Sequence, residues 1–169
     1  IRKTLLFLHE YPTFMFQLIE DINKFIKECA KLNKLPCLRL NGTSDIQWEH
    51  QKYKGETVFE MFPQVQFYDY TKIPTRKVEG ITNYHLTWSY SEANEKYSKL
   101  FDTVPNNKVV VFRNLLPSMF RDVKVIDGDL HDMRFLDEPN VVVGLKAKGK
   151  AKKDYSGFVI DKLIKARAI

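Results

Sequence analysis

Short apolar runs that each stop on a cluster of polar, reactive side chains recur six times along this chain and constrain its fold more than any other feature. Cys37-Leu38-Arg39-Leu40 meets Asn41-Gly42-Thr43-Ser44-Asp45, Val65-Gln66-Phe67-Tyr68 meets Asp69-Tyr70-Thr71-Lys72, and Tyr84-His85-Leu86-Thr87-Trp88 meets Ser89-Tyr90-Ser91-Glu92. Val109-Val110-Val111-Phe112 then runs into Arg113-Asn114, Val123-Lys124-Val125-Ile126 into Asp127-Gly128-Asp129, and Val141-Val142-Val143-Gly144-Leu145 into Lys146. Runs this short, rich in β-branched and aromatic residues and bounded by turn formers, read as strands. As parallel strands they would bring all six polar clusters to one rim of one sheet, where α/β proteins place their chemistry.

Ahead of the first strand lies the longest periodic segment. Phe14, Leu18, Ile22, Phe25, Ile26 and Cys29 recur at helical spacing, with Glu20, Asp21, Asn23, Lys24, Lys27 and Glu28 between them. This pattern predicts an amphipathic helix over residues 13–32, entered after the Tyr11-Pro12 break, whose apolar stripe must be covered by a sheet or another helix. Further helices are expected at 57–62, 92–101 and 116–121, and Asp45 is placed to cap a helix beginning at Ile46. Most strand starts follow one another at intervals short of the roughly 30 residues of a full βαβ unit, so the later connections are loop-like.

The expected fold is α/β, a partial or open TIM-barrel-like, mostly parallel sheet of about six strands with a long N-terminal amphipathic helix. A complete eight-stranded barrel is excluded by length, since about 250 residues is typical and this chain has 169. Residues 1–169 are read as one α/β domain, the C-terminal part of a longer protein if the reading frame extends upstream of Ile1.

No apolar stretch approaches the ~20 residues of a membrane span, so no membrane partner is expected. Only two cysteines occur, Cys29 and Cys37. Without metal-type spacing they read as small buried side chains of a cytoplasmic protein. The net charge of +6 is local: residues 146–169 hold eight basic and two acidic side chains, and residues 1–145 are neutral overall. A basic C-terminal segment of this kind either neutralises phosphates or solvates an edge.

The strand-end clusters supply the candidate site. Asn41, Thr43 and their neighbours form a turn whose amides and hydroxyls could cradle an anion, with Arg39 beside it, and the same composition also makes an ordinary capped turn. Asp45, Asp69, Lys72 and His85 are the candidate catalytic groups, with His85 and Thr87 on the strand face opposite Leu86 and Trp88. Ser89, Glu92, Lys146 and Lys148 join Arg39, Asn41 and Thr43 as substrate-binding candidates. Asp127 and Asp129 are the candidate ligands for a divalent metal, Mg²⁺ or Mn²⁺, although two acids in a glycine-containing turn are also plain turn chemistry. No nucleophile elbow, phosphate loop, zinc-protease helix or dinucleotide fingerprint is present.

Five stretches carry a resemblance. Arg39-Leu-Asn-Gly-Thr-Ser-Asp45, Phe62-Pro-Gln-Val-Gln-Phe-Tyr-Asp-Tyr-Thr-Lys72, Asn83-Tyr-His-Leu-Thr87, Val125-Ile-Asp-Gly-Asp129 and Val143-Gly-Leu-Lys-Ala-Lys-Gly-Lys-Ala-Lys-Lys-Asp154 resemble the core of a family of phage- and plasmid-encoded proteins related to the phage gene product 88 type. The resemblance implies no particular reaction. It does imply an upstream cysteine-rich segment, suited to an iron-sulfur cluster or zinc, which this sequence lacks; with it the chain would be the barrel portion of a metalloenzyme of radical-SAM-like architecture.

Two functions are consistent with these residues. One is an enzyme-like scaffold acting on a nucleotide or nucleic acid with a metal-assisted site at the strand C-terminal ends. The other is a non-catalytic nucleic-acid-binding protein that uses the basic C-terminal segment and aromatics such as Tyr68, Tyr70, Tyr84, Trp88, Tyr90 and Tyr155 that could stack bases, at least half of which are expected to pack in the core instead.

Overall fold

The computed structural model describes residues 2–90 and 99–161. Its backbone divides into two compact units, the first formed by residues 1–67 and 77–85 and the second by residues 68–76 and 86–169. It is a mixed α/β chain with a mostly parallel sheet and few helices.

In the first unit, α1 (Arg2–His9) leads directly into α2 (Tyr11–Lys31). The long helix lies where its periodicity predicts and starts two residues earlier, because Pro12 falls in the first turn, where a missing N–H is harmless. Met15, Ile22 and Cys29 form its buried line. It ends on Asn33, whose φ of +50° is left-handed. Lys34 N–H donates to Cys29 O and Asn33 N–H to Ala30 O, a Schellman-type stop that satisfies the last carbonyls. Strand β1 (Cys37–Leu38) pairs parallel with Gln66 and Phe67. Strands β2 (Lys52–Tyr53) and β3 (Glu56–Thr57) form a hairpin around Lys54 and Gly55, both at positive φ, as a tight two-residue turn requires. Thr57 and Glu60 then close a capping box on the short α3 (Val58–Met61), within the predicted helix at 57–62.

Most of the larger sheet lies in the second unit. Strands β4 (Gln66–Thr71) and β5 (Tyr84–Ser89) each begin in the first unit and end in the second, while β6 (Lys108–Phe112), β7 (Met119–Phe120), β8 (Val123–Asp127) and β9 (Val142–Lys146) belong to the second, and the strand order is β1-β4-β5-β6-β9-β8-β7. Pairings β5·β6, β6·β9 and β8·β9 are parallel, so these four strands deliver their C-terminal ends to one rim. Strand β10 (Val159–Ile160) joins β6 at Val111 and Phe112, where β5 has already ended opposite Val109. The aromatic core gathers Trp88, Tyr90, Phe101, Phe112 and Phe120 around Val110 and Val142.

All six expected strands form, and the sheet does not close into a barrel among the described residues. Three expectations are corrected. Residues 116–121 are not a helix: Pro117 removes a donor, and Arg121 and Asp122, at φ of +48° and +61°, make the tight turn of an antiparallel β7-β8 hairpin. No helix begins at Ile46; a single 3-10 turn, Trp48–His50, stands there. The strand count exceeds six because the two-residue strands β2, β3, β7 and β10 are too short to show a period. Most of the predicted helix at 92–101, with Ser91 and Glu92, lies outside the described residues, and residues 99–100 are helical at its end.

Glycine at 128 is dictated by packing. A Cβ there would lie 2.9 Å from both Arg134 Nη1 and Leu145 Cδ2, and closer still to Val143 Cγ1. Gly128→Ala is expected to lose about 1–3 kcal/mol through overpacking, read as a lowered midpoint in thermal denaturation. A variant that melts together with the wild type would contradict this packing.

Candidate functional site

Of the predicted site residues, Arg39, Asn41, Thr43, Asp45 and His85 belong to the first unit. Asn41 is buried and is the hub of its turn. Its Oδ1 accepts from Ser44 Oγ at 2.9 Å, Ile46 N at 3.0 Å and Trp48 Nε1 at 3.2 Å, while its Nδ2 donates to Ile46 O at 3.0 Å. Arg39 Nε donates to Asn41 O at 3.1 Å. Asn41 and Ser44 are therefore spent on organising the chain, which is the capped-turn reading of this cluster. Thr43 is exposed, and Asp45 and His85 are half-buried. Arg39 also borders a cleft of about 420 Å³ whose walls are mainly apolar, with Phe14, Leu18, Phe25, Leu38 and Trp48 among them.

Asp69, Lys72, Ser89, Asp127, Asp129, Lys146 and Lys148 belong to the second unit. Asp69 is fully buried within β4, so its alternation along the strand turns it inward rather than to the rim. Lys72 is exposed just past the end of β4, with Nζ 5.1 Å from the centre of the Phe158 ring. Ser89 is half-buried at the end of β5.

Asp127, Asp129, Lys146 and Lys148 do come together. Asp127 Oδ1 accepts from Asp129 N at 2.9 Å, an Asx turn at the end of β8. Asp129 Oδ2 accepts from Lys146 N at 3.1 Å, and its Oδ1 from Lys148 Nζ at 2.7 Å. The hydrogen bond from Lys148 chiefly, with that from Lys146, holds the Asp129 carboxyl below its ordinary value, so it is ionised throughout the neutral range. Both oxygens of Asp129 thus already face donors. Among the described residues no group of three or more His, Cys, Asp or Glu is placed to hold a metal ion. Cys29 and Cys37 are free thiols and fit neither a cluster nor a zinc site.

Sequence reasoning leaves Arg113 unassigned, yet Arg113 builds the rim. Past the end of β6 its Nη1 donates to Lys152 O and its Nη2 to Asp154 O, each at 2.6 Å, while Nε lies 2.8 Å from Asp161 Oδ1. Its guanidinium also packs 4.3 Å from the centre of the Tyr155 ring. Ala147 N donates to Phe112 O and Arg113 N to Ile160 O, so the segment after β9 is fastened across the carboxyl end of β6 at both extremities. Its position after a strand end was the only available signal, because its partners, two of them backbone carbonyls 39 and 41 residues away, are remote in sequence.

The result is a rim segment bearing Lys146, Lys148, Lys150, Lys152 and Lys153, all exposed, three of them on the 3-10 turn Gly149–Lys153. Among the described residues, only Lys148 of these makes a close ion pair, with Asp129. Asp154, the acid nearest in sequence, is occupied by Ser156, whose Oγ and N donate to it at 2.7 and 2.9 Å and lower its pKa. Chemically the surface is cationic, rich in donors and fixed in place, suited to binding phosphates.

A second cluster is centred on Arg134, to which no sequence signal pointed. The loop after β8 buries Arg134 completely, beside an Asp137 carboxylate 3.4 Å from Nη1, and Arg134 Nη2 donates to His131 O and lies 3.1 Å from His131 Nδ1. Asp132 in the same loop accepts from Tyr70 OH at 2.8 Å, and Phe135 packs on Tyr68. Among the described residues no helix is long and apolar enough to cross a membrane.

No curated protein and no solved structure matches the chain significantly. The sequence model of the family described as gene product 88 matches residues 1–162, nearly the full length. The resemblance carried by the strand-end motifs is thereby confirmed, and the chain belongs to the gene product 88 family.

Proposed function

We propose that this protein binds nucleic acid through the basic rim segment of its second unit. The observation that carries the reading is that five exposed lysines lie on one segment held across a strand end by Arg113. Carboxyl ends of parallel strands are where α/β sheets receive ligands, and a fixed cationic segment there meets a phosphate backbone without first having to be ordered.

A metal-assisted reaction on a nucleotide at the same rim ranks second. It would use Asp127 and Asp129, and the bonds from Lys146 and Lys148 to Asp129 favour a turn that presents lysines over one that collects cations.

The test is the triple variant Lys150→Gln, Lys152→Gln and Lys153→Gln, assayed for affinity to a generic oligonucleotide at two salt concentrations. Affinity is expected to fall, and the dependence of log K on log salt to flatten by about 0.7–0.9 for each lysine that met a phosphate. Unchanged affinity and slope would refute the reading. These side chains are exposed, so folding should be unaffected.

A further inference from the structure

We infer that Tyr155 is a base-stacking platform that makes the basic rim select single-stranded over double-stranded nucleic acid; the inference rests on the binding reading above. Tyr155 is 79% exposed, an unusual state for a ring of its size, yet its backbone is not free to wander. Arg113 grips the carbonyls of Lys152 and Asp154 on the near side, and the Asp154 carboxylate takes both Ser156 donors on the far side. The turn that carries the ring is thus clamped on either flank.

The ring itself rests on a cation. The Arg113 guanidinium carbon lies 4.3 Å from its centroid, and the Arg113 side chain is only 11% exposed, so the cation supports the ring from the protein side. What remains open is a flat aromatic surface facing solvent, immediately after Lys150, Lys152 and Lys153. That pairing of an immobile aromatic face with adjacent phosphate-binding cations is how single strands are held: the lysines follow the backbone and the ring takes an unstacked base. A duplex keeps its bases stacked on one another and offers the ring nothing, while still engaging the lysines through its phosphates.

The experiment compares wild type, Tyr155→Ala, Tyr155→Trp and the triple lysine variant on a labelled oligo-dT of about 15 nucleotides and on a duplex of equal length, by fluorescence anisotropy. Wild type should prefer the single strand. Tyr155→Ala should lose roughly five- to hundredfold on the single strand, with unchanged duplex affinity and unchanged salt slope, whereas Tyr155→Trp should retain single-strand binding. Equal losses on both ligands, or none, would overturn the stacking role. Binding to both ligands that the lysine variant weakens and Tyr155→Ala does not touch would remove this inference and leave the binding reading standing. Absence of wild-type binding to either ligand would remove both.

Discussion

Arg134→Ala is expected to be the most destabilising single change in the second unit. The side chain is fully buried, and the Asp137 carboxylate it faces is 2% exposed, so the variant deletes the cation of a desolvated pair and leaves a void beside Gly128. Removing one member of such a pair costs about 3–5 kcal/mol, because the remaining carboxylate loses a buried counter-charge in a medium that solvates charge poorly. At about 2–4 °C per kcal/mol for a chain of this size, the midpoint of thermal unfolding should fall by roughly 10 °C. The double variant Arg134→Met with Asp137→Leu should recover much of that loss, since an apolar pair of similar volume needs no compensation. A loss below about 1 kcal/mol in Arg134→Ala would show that the pair contributes little, as exposed pairs do.

Asn41→Ala should be nearly as costly in the first unit. The change withdraws the acceptor for Ile46 N and for the indole N–H of the buried Trp48, together with the donor to Ile46 O. Each buried group left unsatisfied costs about 1–3 kcal/mol, so a loss of about 2–4 kcal/mol is expected in urea unfolding. Trp48 fluorescence should change as its indole N–H turns to water. Thr43→Ala, two residues on and exposed, should stay within about 0.5 kcal/mol of wild type. Equal and large losses in both variants would show that the whole turn, not its hub, carries the stability.

These two residues mark where the sequence could and could not be read. The six strands and the long helix were legible because each is a local period: alternating or continuous apolar runs bounded by turn formers, and a three-to-four-residue recurrence over five turns. The two-residue strands β2, β3, β7 and β10 were not, since a hydrogen-bonded pair of residues has no period of its own; β1, equally short, was legible only through the longer apolar run Cys37–Leu40 that contains it. At the site, residue type was readable and partnership was not. The amide of Asn41 is a type suited to cradling an anion, and its type does not show that it bonds Ser44, Ile46 and Trp48 within the next seven residues. Asp127 and Asp129 have the residue type of metal ligands, and nothing in their spacing shows that Lys148, which follows another strand, bonds Asp129. Arg113 and Arg134 act through carbonyls and a carboxylate that spacing does not bring to notice, so neither stood out.

One arrangement in the sheet bears on how the protein is made. Strand β10 continues the line that β5 leaves unfinished along β6, and its two residues are Val159 and Ile160, both buried. During synthesis β6 therefore waits, with that stretch of backbone unpaired, until residues 159–160 have emerged. The lysine-bearing segment is strung between β9 and β10 and takes its final position only when that last pairing forms. A chain made only as far as Asp154 accordingly carries the lysines before β10 has fastened the far end of their segment.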